Sequence, residues 1–194
     1  ERVFEETKKA LSTKNPDRYF ELLNDINVNI QLWPELKKDD TKRLRSWMSD
    51  TNPVHSFTIL TSSLNLEELS TLTKRLRFPL IYEQMSSLTM KIYKVDLTKA
   101  SAVDIVNTLY ELNAFRSHER FKEASKLAVS LKRLEGNALK ISNHWPIYLE
   151  EAAAVNASSV DSRFLGAAIG KEIRRLQIER LYQLKLTQDS VRVD

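Results

Sequence analysis

Apolar residues recur at helical spacing along most of the chain and almost nowhere alternate as a half-buried strand requires. Val3, Phe4, Ala10 and Leu11 mark a first helix over residues 1–11, with Thr7 between them. Asn15-Pro16 supplies a capping residue and a first-turn proline for a second helix. Its buried stripe is expected at Tyr19, Phe20, Leu22, Leu23 and Ile26. A short segment from Ile30 to Leu36 breaks at Trp33-Pro34, because proline disfavours helix at the residue before it. Asp39 or Asp40 is placed to cap a helix reaching Ser49, and Asp50 to Pro53 reads as irregular.

Farther along, Asn65-Leu66-Glu67-Glu68 has the spacing of a capping box, opening a helix to Arg77. Phe78-Pro79 restarts the chain into a helix through Tyr93. Ser101 to Asp104 repeats the box, and its helix holds Val103, Val106, Leu109, Tyr110 and Leu112. Ser117 caps a helix containing Phe121, Ala124, Leu127, Ala128, Leu131 and Leu134, for which Gly136 is a natural stop. Trp145-Pro146 starts a short helix to Ala154, and Ser158 or Ser159 a brief turn. The last long helix is expected from Gly166 to Lys185, with a frayed tail from Gln188 to Asp194. The fold class that follows is all-α, a multi-helix array without internal repeat. Only three glycines and five prolines interrupt the 194 residues, and such scarcity of breakers favours helices.

Composition then narrows the chemistry. Without cysteine there is no disulfide, thiol nucleophile or thiolate metal site. His55, His118 and His144 are scattered, and none neighbours an aspartate, so no metal site is expected. Gly136, Gly166 and Gly170 make no phosphate loop, and no Gly-x-Ser-x-Gly nucleophile elbow occurs. The paired acids Glu5-Glu6, Asp39-Asp40, Glu67-Glu68 and Glu150-Glu151 fall at helix surfaces or first turns, where acids are favoured electrostatically. Phe4, Tyr19, Phe20, Phe57, Tyr110, Phe115 and Phe121 are expected in the core, with Trp33 and Trp145 plugging helix junctions. No apolar run has the length of a membrane span, and no signal sequence opens the chain. The absence of cysteine fits a cytoplasmic location. The opening residue is Glu1, not Met, which suggests a piece of a longer protein.

The net charge is +4, and its distribution says more than its size. Residues 163–185 hold six basic and two acidic side chains, so this stretch accounts for the whole excess. On a helical wheel, Ile169, Ile173, Leu176 and Leu184 fall on one side. Lys171, Arg174, Arg175 and Lys185 fall opposite, with Ile178 and Tyr182 among them. Together with Arg163 these cations are candidate contacts to a polyanion, and a merely solvated face stays open as the alternative. Arg180 lands on the apolar side, where it must pair with an acid or reach out to water.

Stretches at both ends and the centre of the chain carry a family resemblance. The opening Glu1-Arg2-Val3-Phe4-Glu5-Glu6-Thr7-Lys8-Lys9-Ala10-Leu11, with Asn15-Pro16, Tyr19-Phe20 and Leu32-Trp33-Pro34-Glu35-Leu36, resembles the neck of class II tRNA nucleotidyltransferases. Phe164-Leu165-Gly166-Ala167-Ala168-Ile169-Gly170-Lys171-Glu172-Ile173 is similar to the start of the basic tail helix, and Leu72 to Pro79 to a body segment of the bacterial form. The resemblance implies a CCA-adding enzyme with head, neck, body and tail, whose body and tail grip tRNA. Residues 1–36 would be neck, 37–136 body and 137–194 tail. Arg2, Glu5 and Glu6 would be the neck-bracing motif. The catalytic carboxylates, magnesium and the CTP or ATP site belong to a head not represented here, so this chain is expected to hold no cofactor and to transfer no nucleotide alone. Many bacterial relatives carry a His-Asp phosphohydrolase after the Pro-Glu-Leu turn; that signature is missing around Val54 to Leu66, and no metal-dependent phosphatase activity is expected. Gln177 stands where the family commonly has an arginine. A helical protein-interaction module, or the same region of a poly(A)-adding enzyme, are the competing readings.

Overall fold

The computed structural model describes residues 2–47, 51–135 and 143–190, with side chains through 187. Among the described residues the chain is all-α, as its periodicity predicts. The helices are α1 (Arg2–Leu11), α2 (Asp17–Asp25), α3 (Asn29–Leu32), α4 (Lys38–Ser46), α5 (Pro53–Leu60), α6 (Leu66–Arg75), α7 (Leu80–Tyr93), α8 (Ala102–Glu111), α9 (His118–Leu134), α10 (Trp145–Ala153) and α11 (Ala167–Ser190). One 3-10 turn, Ala157–Ser159, lies between the last two. Two compact units form: Glu1–Lys94 with Ala124–Ser142, and Val95–Glu123 with Asn143–Asp194. In the first, α1 and α4 both pack on α5, so elements on either side of the expected 36/37 division share one unit.

An aromatic core organises the first unit. Trp33 is fully buried, with Phe20 at 5.4 Å and Phe78 at 5.9 Å, both edge-to-face. Phe78 also meets Phe4 at 5.0 Å, Phe57 at 4.6 Å and Tyr82 at 5.1 Å. These six rings come from α1, α2, α5, α7 and the two loops that hold Trp33 and Phe78. Edge-to-face pairs add about 0.5–1.5 kcal/mol beyond the area they bury. Beside them, Arg75 donates to both carboxylate oxygens of Glu35 (2.8 and 2.7 Å) and to the Leu32 carbonyl (2.9 Å). The end of α6 is thereby fixed to the Trp-Pro-Glu turn.

The α2 stripe differs from the expected one. Phe20 and Leu23 are buried, but Leu22 is 60% and Ile26 57% exposed. The inward side instead includes Asp17, 4% exposed, whose carboxylate accepts from Arg45 of α4 at 2.7 Å. A buried, paired aspartate sets the rotation of this helix, which hydropathy alone reads wrongly.

Helix α5 carries no periodic signal, because Ser56, Phe57, Thr58, Ile59 and Leu60 are all buried. Its start is nevertheless written in the sequence: Asn52 caps it by accepting from the Val54 amide at 3.0 Å, with Pro53 in the first turn. Hydroxyl groups satisfy one another where α5 meets α7, with Ser86 reaching Thr58 at 3.2 Å and Thr61 at 3.3 Å. Ser56 donates to the Leu11 carbonyl at 3.0 Å and ties α5 to α1.

Three helices stop without glycine. Asn27, Arg77 and Asn113 each adopt a left-handed conformation (φ 56°, 57° and 57°). After each, the next amide reaches back five residues: Val28 to Leu23, Phe78 to Thr73 and Ala114 to Leu109. This satisfies carbonyls left over at the helix ends. It also stops α6 at Arg75, short of the expected Arg77. Both capping boxes form, Asn65 with Glu68 and Ser101 with Asp104. Helix α4 ends at Ser46, with Trp47 extended, short of the expected Ser49; the expected stop at Gly136 lies outside the described residues.

In the second unit α11 packs on α8, α10 and the 3-10 turn. Phe121 and Trp145 meet edge-to-face at 5.5 Å. On α8 the buried side is Ala102, Ile105, Val106 and Leu109, whereas Val103 is 46% exposed. Helix α11 runs to Ser190, past the expected end at Lys185, and follows Gly166 at φ 54°.

Trp33→Ala, which opens the aromatic core, is expected to cost about 3–5 kcal/mol, whereas Leu22→Ala on the outer side of α2 stays within about 0.5 kcal/mol. Urea denaturation of the two variants checks the placement of both side chains.

Candidate nucleic-acid interface

The basic helix α11 is held by a polar residue. Gln177 is 3% exposed, and both ends of its amide are satisfied. Its Nε2 donates to the Ala152 carbonyl of α10 at 3.0 Å, and the Tyr110 hydroxyl of α8 donates to its Oε1 at 2.9 Å. One turn on, Leu181 is fully buried. The inward edge of α11 is therefore centred on Gln177 and Leu181, while Ile169, Ile173, Leu176 and Leu184 are only half-buried.

That rotation corrects the wheel. Arg174 and Lys185 flank the buried edge instead of lying opposite it. Lys185 is half-buried, and its ammonium donates to the carbonyls of Leu97 (3.3 Å) and Ala100 just before α8. It also helps hold the nearby Asp104 carboxyl below its ordinary range, after the hydrogen bonds from Ser101. Arg174 is exposed but anchored: Nη2 donates to Asn107 Oδ1 at 2.7 Å, and its guanidinium lies 4.8 Å from the centre of the Tyr110 ring. Arg175 is exposed and held between Glu172 (2.7 Å) and Glu179 (3.1 Å). The hydrogen bond to Glu172 pushes the Arg175 pKa up and the Glu172 pKa down. Arg163 pairs locally with Asp161 at 3.0 Å, and the Arg163 amide and side chain together lower the Asp161 pKa. Lys171 is exposed and makes no ion pair or hydrogen bond among the described residues. Arg180, which the wheel placed on the apolar side, is exposed and pairs with Glu151 at 2.6 Å. The five candidates thus lie on one helix and the loop before it, with unequal freedom: Lys171 and Arg174 present a cation not answered by a carboxylate.

On α1, Glu6 pairs with Lys9 at 3.0 Å. Arg2 and Glu5 are exposed and form no ion pair among the described residues, although Glu5 lies near enough to Tyr82 to add to the upward shift that burial gives its hydroxyl. Among the described residues no group of three His, Asp or Glu side chains is arranged to hold a metal ion, and no helix is long and apolar enough to cross a membrane.

Comparison with known proteins adds to this geometry. The family described as "Probable RNA and SrmB- binding site of polymerase A" matches residues 1–40. The CCA-adding enzymes of two Coxiella burnetii strains, RSA 331 / Henzerling II and RSA 493 / Nine Mile phase I, are each 30% identical over 129 residues, 63% of this chain and 34% of theirs. The chain resembles part of a CCA-adding enzyme. It spans about a third of the length of these CCA-adding relatives. No solved structure matches it.

The match at residues 1–40 points to α1–α3, which charge did not single out. That segment has seven basic residues against nine acidic ones, so no charge count could reveal it. Its exposed Arg2, Lys14, Lys37 and Lys38 side chains form no ion pair among the described residues.

Gln177→Leu removes both amide bonds, taking from the Tyr110 hydroxyl its acceptor and leaving the Ala152 carbonyl with only the Val155 amide, an expected cost of about 1–3 kcal/mol. Thermal unfolding checks this, with Glu179→Ala as a surface control. Equal melting temperatures for the two variants would remove the bridging role of Gln177.

Proposed function

We propose that this chain is an RNA-holding part of a CCA-adding tRNA nucleotidyltransferase, and that its work is to position tRNA for a separate catalytic head. The observation that carries this reading is the 129-residue likeness to CCA-adding enzymes, joined by the RNA-binding family match at residues 1–40. The geometry suits positioning better than chemistry. Contacts from lysine and arginine to phosphates fix register and orientation without reading sequence, and helical RNA is recognised by shape and backbone. Lys171 on α11 is the cation best placed for this, with Arg2 and Lys14 at the matched end. Arg163, Arg175 and Lys185 would contribute only after leaving the partners they already have. Magnesium, CTP and ATP belong in this reading to the head, and the setting is the cytoplasm.

A second reading, the same region of a poly(A)-adding enzyme, is favoured by the words "polymerase A" in the matched family's description. It differs in the head's product and not in how this chain meets RNA.

Filter binding of the chain to tRNA and to an unstructured RNA of equal length tests the proposal. Tighter binding of tRNA is expected. Lys171→Glu is expected to weaken it and to flatten the salt dependence by roughly one counterion, with unchanged melting. Equal, salt-insensitive affinities for the two RNAs would instead favour a helical module that binds an acidic protein.

A further inference from the structure

The anchoring of Arg174 has a chemical consequence that a phosphate grip does not need. The Tyr110 ring beneath it is backed by Phe115 at 4.8 Å, and the Tyr110 hydroxyl is tied to the buried Gln177. The guanidinium is thus held at one face by a braced ring and at one edge by Asn107, while Arg174 as a whole stays exposed. A cation over an aromatic face within about 6 Å is attracted by the ring's quadrupole, so this placement stabilises the flat head group of a residue that remains exposed. A phosphate would meet an incomplete fork, because Nη2 is already committed to Asn107. Of the other cations on the helix, Lys171 alone is unengaged among the described residues: Arg175 is paired with Glu172 and Glu179, Arg180 with Glu151, and Lys185 with backbone carbonyls. What remains free is a planar, delocalised surface, and guanidinium planes stack on unpaired bases.

We infer that Arg174 is a stacking platform for an unpaired nucleobase of the bound RNA, supported from below by the Tyr110 ring. Asn107 is its positioning residue, fixing the plane of the guanidinium without touching RNA. This rests on the RNA-binding reading above and adds a preference that phosphate contacts cannot give: the site discriminates looped-out bases from a bare backbone.

The test uses the full chain and two RNA hairpins with identical stems, one with an ordinary loop and one whose loop sugars carry no bases, so that every phosphate is kept. The wild-type chain is expected to prefer the base-bearing loop about tenfold, within the range of one stacked base. Arg174→Lys keeps the charge and loses the plane; it should abolish the preference while the salt dependence stays unchanged. Asn107→Ala, a surface change of no charge, should lower affinity for the base-bearing hairpin and leave the abasic one unaffected. A preference that survives both substitutions, or equal binding of the two hairpins by the wild-type chain, would overturn the stacking role. Failure of the wild-type chain to bind either hairpin would instead remove the RNA-binding reading beneath it.

Discussion

The second unit depends on a buried amide. A side-chain amide out of water must find partners for its donor and its acceptor, or cost more than it contributes. Gln177 finds both, on two different helices, and this fixes the rotation of α11 about its own axis. Everything said of the basic face follows from that rotation. It turns Lys185 inward to carbonyls, sets Arg174 on Tyr110, and leaves Lys171 outward. A turn of one residue in either direction would break the bond from the Tyr110 hydroxyl and the bond to the Ala152 carbonyl together.

The first unit rests on a different solution, a cluster of rings with one charged clamp at its edge. Several residues from the stretches that carry the family resemblance meet there: Phe4 from the opening helix, Trp33 and Glu35 from the proline turn, Arg75 and Phe78 from the body segment. They are packing residues.

Much of this fold is legible in local chemistry. Asn65-x-x-Glu68 and Ser101-x-x-Asp104 form the capping boxes their spacing announces, and Trp33-Pro34 and Trp145-Pro146 mark helix boundaries. What hydropathy misplaces is rotation. Asp17 is buried because Arg45 pairs with it, and Gln177 because two helices bond it. Each turns its helix so that apparent core residues, Leu22 and Ile26 in one case, face out. Polar residues that face inward through long-range partners carry no periodic signal. The same limit applies to the site: a charge count finds the basic helix but cannot tell Lys171 from Arg175, because the acids that occupy Arg175 are visible only as geometry. Helix α5 was hidden because Ser56 and Thr58 are buried alongside Phe57, Ile59 and Leu60, so no apolar stripe stands out.

The central claim is that α11 presents RNA with the cations left outward by the Gln177 register. Amine acetylation of the full chain, read lysine by lysine with and without saturating tRNA, tests it most directly. Lys185, held by backbone carbonyls, should react slowly in both states, and Lys171 should react fast in the free chain and be protected by tRNA. Lys171 acetylated at the same rate in both states, while tRNA is demonstrably bound, would contradict the account and move the RNA interface off this helix.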